Sequence, residues 1–306
     1  MKEGVFMEFL NSAKNIISTV LTLILLPVIF MMPVAESYEA KNSDELKTSF
    51  TVLSDIHIEG NKYSTFEKFT KILKEVKGAK DNDTLVFLGD NTMNGQDIES
   101  IFFYGALKAT NPADNLVIAP GNHDYGNGTG AYDELSGRFR RYANFVGCGI
   151  GDTNYYYKVI DDCYFIVLTS ESDTVNRVDI SDTQLSWIKE VLDKASAEGK
   201  HAFVFNHHPV NYIENGDDTR LSELLNDYED LIYFSGHTHS PLREYSVSVV
   251  NGVQQFNIPR TADDDYEGNR GGIGAVVEVY EDEILVRFRD FDDGEWVEGY
   301  EYTFEF

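Results

Sequence analysis

Residues 116–126, Leu-Val-Ile-Ala-Pro-Gly-Asn-His-Asp-Tyr-Gly, decide the fold. Apolar residues run straight into an amide, an imidazole and a carboxylate at Asn122, His123 and Asp124. In α/β proteins, functional groups collect in the crevice outside the ends of the strands. The stretch therefore predicts a buried strand that ends at a functional site, rather than an ordinary solvated loop.

Predicted strands and helices alternate on both sides of this stretch, which indicates an α/β protein. Helices are predicted over 64–76, 97–109, 132–146 and 181–200, and strands begin at 49, 84, 115, 201 and 231. A hairpin is predicted around Asp161 and Asp162. From residue 244 onward we expect only β structure, with 274–280 and 283–291 as the clearest strands. Capping boxes are predicted at two helix starts, Ser64 with Glu67 and Ser181 with Gln184.

Five of the predicted strands end in polar clusters, which are SDIH, LGD, GNHD, NHHP and GHTH in chain order. A single histidine after a strand is more often a structural residue than a ligand. Here, however, six of the seven histidines fall in these clusters: His57, His123, His207, His208, His237 and His239. Because the ends of neighbouring strands converge at one edge of a sheet, the five clusters predict one site.

The chemistry of these clusters fits a centre with two metal ions. Asp55 and His57 are two residues apart, and in an extended segment such residues face the same way. His237 and His239 repeat that spacing, while Asp90 offers a carboxylate that can bridge two cations. Imidazole and carboxylate donors without thiolate suit Mn, Fe, Zn or Co. Two such ions activate a water and stabilise the attacking and leaving oxygens of a displacement at phosphorus.

The motifs SDIH, GD, GNHD, HHP and GHTH, in this order over residues 54–239, resemble those of the calcineurin-like metallophosphoesterase superfamily. The resemblance implies a four-layer α/β/β/α sandwich of two mixed sheets flanked by helices. It also implies a phosphoesterase with two divalent or trivalent metal ions, Mn, Fe or Zn, that hydrolyses phosphate esters by attack of a metal-activated hydroxide.

The resemblance also assigns roles to individual residues. The first metal would be held by Asp55, His57 and His239, the second by Asn122, His207 and His237, and Asp90 would bridge them. His123 would donate a proton to the leaving alkoxide or bind a phosphoryl oxygen, and Asp124 would orient His123. Gly121 would allow the turn that brings them together.

The chain departs from two branches of that superfamily. The segment NTMNG after Asp90 lacks the GDxxDRG pattern of the Ser/Thr protein phosphatases, and no arginine in this loop can clamp a phosphoprotein. Met93 stands where purple acid phosphatases carry a tyrosine, so we expect no iron–tyrosinate colour. Phosphate monoesters, cyclic nucleotides and lipid headgroups remain open as substrates.

Several residues keep two interpretations. His208 lines the substrate pocket or packs away from it, and Arg260 contacts a phosphate or forms a surface salt bridge. The acidic residues Asp263, Asp264 and Asp265 form a solvated loop or, less simply, a calcium site. Cys148 and Cys163 are bridged or are separate buried thiols, since sequence does not supply the Cα distance that a disulfide needs.

Residues 1–36 are predicted to be a signal peptide or an N-terminal membrane anchor, 37–46 a linker, and 47–306 the metallophosphoesterase domain with a β-rich tail. No charge occurs between Lys14 and Glu36, but Pro27 and Pro33 interrupt the apolar run, so we favour a cleaved signal peptide. The mature chain would then be extracytoplasmic, either secreted or membrane-anchored through this segment if it is uncleaved.

The net charge of −27 repels polyanions, so we expect a small phosphate-ester substrate and no nucleic acid partner. One competing hypothesis is a non-catalytic metal-binding scaffold with this fold, which typically loses ligands or the GNHD histidine; this chain keeps them all. An enzyme of the metallo-β-lactamase type would need an HxHxDH cluster, which the sequence lacks.

Overall fold

The computed structural model describes residues 34–176, 178–213, 219–228, 231–261 and 271–305. Most of the predicted signal peptide or anchor, and the candidate calcium loop at Asp263, Asp264 and Asp265, lie outside these described residues. Within the described residues, no helix is both long enough and apolar enough to cross a bilayer.

The regular elements follow the predicted alternation. The strands are β1 (Thr48–Leu53), β2 (Thr84–Phe87), β3 (Asn115–Ile118), β4 (Tyr156–Ile160), β5 (Cys163–Val167), β6 (Ala202–Phe205), β7 (Leu231–Ser235), β8 (Val247–Val250), β9 (Val253–Asn257), β10 (Ile273–Val279), β11 (Glu283–Asp290) and β12 (Glu295–Glu305). The helices are α1 (Tyr63–Gly78), α2 (Asp97–Thr110), α3 (Tyr132–Phe145), α4 (Asp182–Ala197), α5 (Val210–Ile213) and α6 (Arg220–Leu225), with a 3₁₀ turn at Glu244–Ser246.

The strands form two mixed sheets of six strands each. The first has the order β12-β11-β10-β1-β2-β3, and the second β4-β5-β6-β7-β9-β8. β1, β2 and β3 are parallel to one another, as are β5, β6, β7 and β9. β10 returns from the C-terminal part of the chain and pairs antiparallel with β1. The carboxyl ends of the parallel strands therefore lie at one edge of each sheet.

Phenylalanine side chains fill the space between the two sheets. The ring of Phe50 on β1 lies 4.9 Å from that of Phe165 and 4.8 Å from that of Phe203, both on the second sheet. On β6, Phe203 and Phe205 point toward the first sheet, while Val204 between them packs on the opposite side. This alternation is the two-residue period of a strand with both faces buried.

Helices cover the outer face of each sheet. α1 buries one stripe against the first sheet, formed by Phe66, Phe69, Ile72, Leu73 and Val76. α4 covers the second sheet, where Ile188 and Leu192 pack with Tyr164 and Ile166. The predicted four-layer α/β/β/α sandwich is confirmed.

Of the two predicted capping boxes, one is absent and the other is present only as an N-cap. The box at Ser64 with Glu67 is wrong, because the chain enters α1 at Lys62 and Ser64 is already inside the helix. At α4, Ser181 caps the helix as predicted, since its Oγ accepts the backbone N–H of Gln184 at 3.2 Å. The Gln184 side chain does not bond back to the Ser181 backbone, as a capping box requires. It accepts the backbone N–H of Thr169 and donates to the Thr169 carbonyl instead.

The described part of the predicted linker packs against the domain. Tyr38 is only 7% exposed, and its hydroxyl lies 2.7 Å from Oγ1 of Thr51 on β1. The backbone N–H of Ser37 donates to the carbonyl of Gly78 at the end of α1. Ser37 and Tyr38, at the start of the predicted linker, are therefore held on the surface of the fold.

The structure shows the predicted hairpin and decides between the two interpretations of the cysteines. β4 and β5 pair antiparallel across Asp161 and Asp162, whose φ angles of 46° and 64° make a tight hairpin turn, as predicted. Cys148 and Cys163 are both free and buried, so the alternative of two separate thiols is the one that the structure shows.

Candidate metal centre

Side chains from the ends of five strands meet at one point between the two sheets. Asp55 and His57 follow β1, Asp90 follows β2, and Asn122 follows β3. From the second sheet, His207 follows β6, and His237 and His239 follow β7. The structure thus brings together all seven residues for which metal binding is predicted, while their roles as ligands stay a prediction.

A first group of donors consists of Asp55, His57, Asp90 and His239, whose candidate ligand atoms all lie within 4.8 Å of one another. The Nε2 atoms of His57 and His239 face each other at 3.1 Å. Oδ1 of Asp55 lies 3.0 Å from Nε2 of His239, and Oδ2 of Asp90 lies 3.7 Å from Nε2 of His57. These atoms surround a space that suits one cation.

A second group consists of Asp90, His207 and His237, again with ligand atoms within 4.8 Å of one another. Nε2 of His207 lies 3.1 Å from Oδ2 of Asp90 and 3.3 Å from Nδ1 of His237. Oδ1 of Asn122 lies 3.0 Å from the same Nδ1. Asp90 belongs to both groups, which is the position that a bridging carboxylate requires.

The donor set fits divalent metal ions. Imidazole nitrogens that face one another at hydrogen-bond distance beside ionised carboxylates present several lone pairs to the same point. Nδ1 of His207 donates to the carbonyl oxygen of Leu88 at 3.1 Å, which directs Nε2 at the group, where it becomes a ligand once it has lost its proton. Carboxylate, amide and imidazole donors without thiolate suit the metals predicted from the sequence.

The buried carboxylates and imidazoles of this cluster shift one another's pKa values. Asp55 and Asp90 are almost completely buried, and burial alone would raise their pKa values, yet the neighbouring histidines hold both pKa values below the usual range. Burial opposes protonation of His207, but the carboxylates of Asp90 and Asp55 raise its pKa to about 9. Burial and the charge of His207 lower the pKa of His237 to about 4, so that imidazole is neutral near pH 7.

Five of the seven candidate ligands have a left-handed backbone. Their φ angles lie between 50° and 69°, a region that costs a residue other than glycine about 1 kcal/mol or more: Asp55, His57, Asp90, His237 and His239. The assumption of an extended chain at Asp55 and His57 is therefore wrong, because β1 ends at Leu53. The two side chains converge through left-handed turns, and such strained backbone concentrates at functional sites.

Glycines allow the loops to approach the centre. A Cβ on Gly121 would lie 2.1 Å from Oδ1 of Asp90, and one on Gly236 would lie 1.8 Å from Oγ of Ser54. Each of these glycines directly precedes a candidate ligand, Asn122 and His237 respectively. A glycine immediately before a candidate ligand was thus the sequence signal for this close packing.

His123 lies at the rim of the cluster, partly exposed. Its Nδ1 is 2.7 Å from the carbonyl oxygen of Met93, and its backbone N–H donates to Oδ1 of Asp90 at 2.8 Å. Its ring centre is 4.7 Å from that of His57. With Nδ1 engaged by Met93, Nε2 remains for a bound ligand. The contact with Met93 was missed, because a backbone acceptor leaves no trace in the sequence.

Asp124 does not orient His123, and that prediction is wrong. Its carboxylate turns back into the loop after β2 and accepts the backbone N–H groups of Asn91, Thr92 and Gly121, together with the Thr92 hydroxyl and the Asn91 amide. Burial and the charge of Asp90 raise its pKa to about 6. Asp124 therefore ties the loop that carries Asp90 to the loop that carries Asn122.

His208 does not line the substrate pocket. It is 2% exposed, and its Nε2 is 2.9 Å from the carbonyl oxygen of Val175. Its ring packs against that of His237, with centres 4.2 Å apart, so the packing alternative is the one that the structure shows. The ring of Tyr212, which sequence reasoning missed, lies 5.2 Å from that of His237.

Arg260 is partly buried, and no salt bridge to it occurs within the part of the chain that the structure describes. Its Nε is buried without a hydrogen-bond partner. The surface salt bridge expected as one alternative is therefore not seen with any of the described residues.

A family model described as calcineurin-like phosphoesterase matches residues 48–241, which is more than half of the chain. The chain belongs to the calcineurin-like phosphoesterase family. Membership makes it a hydrolase that acts on phosphate esters, in agreement with the cluster of candidate metal ligands. No curated protein sequence matches the chain.

Solved structures share the fold of this phosphoesterase at low sequence identity. A dimetal phosphatase from Danio rerio has 16% identity and a TM-score of 0.59, with 85% of this chain and 99% of that chain covered. The purple acid phosphatase PPD1 of yellow lupin has 13% identity and a TM-score of 0.60, covering 84% of this chain but only 53% of its own. GAP50, the anchor in the inner membrane complex of Plasmodium, has 16% identity and a TM-score of 0.52 over 84% of this chain and 88% of that one.

Proposed function

We propose that this phosphoesterase binds two divalent metal ions, one in each donor group, and hydrolyses a small phosphate ester with His123 as general acid. The observation that carries the proposal is the position of Asp90, whose carboxylate belongs to both groups. The first ion would be held by Asp55, His57 and His239 with Asp90. The second would be held by Asn122, His207 and His237 with the same carboxylate.

When bound, two such cations lower the pKa of a water molecule and neutralise charge on the phosphoryl group. We expect Mn, Fe or Zn, since the donors are imidazoles and oxygens. The protein supplies rigid placement, because the carboxylates are buried and the strand ends that carry the ligands are fixed in two paired sheets. No conformational change is needed to assemble the donors.

His123 would hold and deliver the proton. The carbonyl of Met93 accepts from Nδ1–H and so fixes the ring with Nε2 facing the bound ester. A protonated Nε2 then donates to the leaving oxygen as the P–O bond breaks, which prevents formation of a free alkoxide. Asp124 contributes indirectly, by holding together the loops on which Asp90 and His123 lie.

The proposal also includes the location of the enzyme and the class of its substrate. The uncharged N-terminal run predicts export, so the enzyme would act outside the cytoplasm, secreted or membrane-anchored. A net charge of −27 disfavours nucleic acid as a partner and leaves small phosphate esters as the expected substrates.

Phosphodiester hydrolysis is the second candidate, because the same donors serve either ester. The test is a rate comparison on the purified, Mn²⁺-loaded chain with p-nitrophenyl phosphate and bis-p-nitrophenyl phosphate, with the Asp90→Asn variant, which lacks the carboxylate shared by both donor groups, alongside. Monoester preference indicates a phosphatase, and diester preference a phosphodiesterase. Rates no higher than those of the variant on both esters would contradict the catalytic proposal and favour a metal-binding scaffold.

A further inference from the structure

Arg260 is a cation that the proposed mechanism does not use. It follows β9 on a short segment, residues 258–261, that passes between the two sheets at the metal centre. The backbone N–H of Ile258 donates to the carbonyl of Ser235 at 2.7 Å, next to Gly236 and His237. Since Ser235 ends β7, this bond fixes one side of the segment beside the candidate ligands of that strand.

The other side of the segment is fixed to the first sheet. The backbone N–H of Thr261 donates to the carbonyl of Ser54 at 2.9 Å, and Oγ1 of Thr261 accepts the N–H of Ser54 at 3.1 Å. Ser54 directly precedes Asp55. Arg260 therefore lies between two anchors, each one or two residues from a candidate metal ligand, so its backbone has little freedom to move away.

The guanidinium of Arg260 differs from those of the two buried arginines, Arg287 and Arg289. Arg287 pairs with Glu278, and Arg289 lies 2.6 Å from a carboxylate oxygen of Glu75. Arg260 forms no such pair with any acid of the described ranges, and its Nε is buried without a partner. A buried polar atom without a hydrogen-bond partner costs stability, so the unpartnered Nε of Arg260 needs an explanation.

We propose that Arg260 binds the phosphoryl oxygens of the substrate and makes the enzyme prefer dianionic phosphate monoesters over diesters. The inference rests on the proposed function for the identity of the ester. Arginine presents a planar fork of donors that matches two oxygens of one phosphoryl group. A monoester carries two negative charges and three terminal oxygens near neutral pH, whereas a diester carries one charge and two terminal oxygens. One added cation therefore stabilises the monoester more.

The first experiment measures binding and needs no turnover. Inorganic phosphate and dimethyl phosphate are titrated by calorimetry into the full, Mn²⁺-loaded chain, its Arg260→Met variant and a control, Arg141→Met. Arg141 lies on α3 and pairs with Asp97 at an exposed position. We expect Arg260→Met to weaken phosphate binding roughly 10- to 100-fold, with a smaller loss for dimethyl phosphate, and Arg141→Met to change neither.

Two further measurements separate substrate binding from a structural role. Because Arg260 has no ion pair within the described ranges, the melting temperature of Arg260→Met should equal or exceed that of the wild type, and its manganese content should be unchanged. A melting temperature several degrees lower with intact phosphate binding would mean a structural ion pair and overturn the inference. Loss of manganese would overturn it too, since Arg260 would then act through the ligands.

The remaining outcomes separate this inference from the proposed function. If the wild type binds phosphate through Arg260 but hydrolyses neither p-nitrophenyl ester, the proposed function is wrong and the anion-binding role of Arg260 stands. If the wild type shows no saturable phosphate binding, or if Arg260→Met weakens both ligands equally, the inference is overturned even where turnover is observed.

Discussion

Thr92 gives both of its hydrogen-bond donors to one oxygen of Asp124, the backbone N–H at 2.9 Å and the hydroxyl at 2.7 Å. The other oxygen accepts the backbone N–H groups of Asn91 and Gly121. One buried carboxylate thus joins the loop after β2 to the loop after β3. Asp124 therefore holds these two loops together, although it directly follows the candidate acid His123 in the sequence.

We therefore expect Asp124→Ala to lower the free energy of unfolding by about 2–4 kcal/mol, because several buried donors lose their acceptor at once. Urea denaturation measures this loss. Asp124→Asn keeps one acceptor oxygen and should lose less. If Asp124→Ala left stability unchanged but moved the pH–rate profile, the carboxylate would instead act through His123.

His123→Ala should affect substrates according to their leaving groups. Loss of a general acid costs about 10²- to 10⁴-fold in rate when the leaving oxygen needs a proton, as in an alkyl phosphate such as glycerol phosphate. The loss should be much smaller for p-nitrophenyl phosphate, whose phenolate leaves without help. His201→Ala is the matched control, because His201 precedes the opposite end of β6 from His207. An equal loss on both substrates would contradict the acid role.

Asp90→Asn should remove both metal ions together. The carboxylate is shared by the two donor groups, so the substitution weakens each of them. Substitution of residues that only support metal ligands already costs 10- to 100-fold in affinity, so we expect a loss of at least about 100-fold here. Elemental analysis after dialysis measures it, with the exposed Asp193→Asn as control. A variant that retained one tightly bound ion would show that Asp90 belongs to one site only.

Metal binding should release a proton from His207. Burial opposes protonation of this imidazole, but Asp90 and then Asp55 raise its pKa to about 9, so it is protonated near pH 7 without metal. A metal ion needs the Nε2 lone pair, and its affinity should therefore rise with pH until about pH 9. Calorimetric titration of Mn²⁺ in buffers with different ionisation enthalpies counts the protons. Zero release at pH 7 would mean that His207 is neutral or is not a ligand.

Gly236→Ala should abolish metal binding, although it adds only one methyl group to the protein. The new Cβ would lie 1.8 Å from Oγ of Ser54 and 2.6 Å from Oδ2 of Asp55, so the strand end carrying His237 must move away. Gly137→Ala is the control, since nothing lies within 4 Å of its Cβ and alanine favours the helix by about 0.5–1 kcal/mol. Manganese content and melting temperature of both variants decide the point, and a fully loaded Gly236→Ala would contradict it.

The sequence predicted which residues meet, but not how they meet. Asp55 and His57 were grouped correctly because a motif at a strand end constrains position along the chain. Their left-handed backbone was not foreseen, since it depends on contacts with the neighbouring loops. The helices and the hairpin followed from periodicity, whereas the start of α1 did not, because Lys62 enters the helix before the residue with the best capping side chain.

Two residues were linked to the site because they adjoin a site residue in the sequence, and the structure places both elsewhere. His208 follows His207, yet neighbouring residues after a strand point to opposite sides, and only His207 faces the centre. Asp124 follows His123, yet the turn directs its carboxylate toward Thr92. In both cases tertiary contacts decide the partner, and these contacts are not written in the local sequence.

The pairing of β10 with β1 has a consequence for synthesis. β1 emerges early from the ribosome, but the strand that covers its free edge is complete only at Val279, beyond the segment 48–241 that the family model matches. Until then, one edge of the strand that leads to Asp55 and His57 remains unpaired. Such an edge invites association with other chains, so a nascent or shortened chain that ends near residue 241 should aggregate rather than fold.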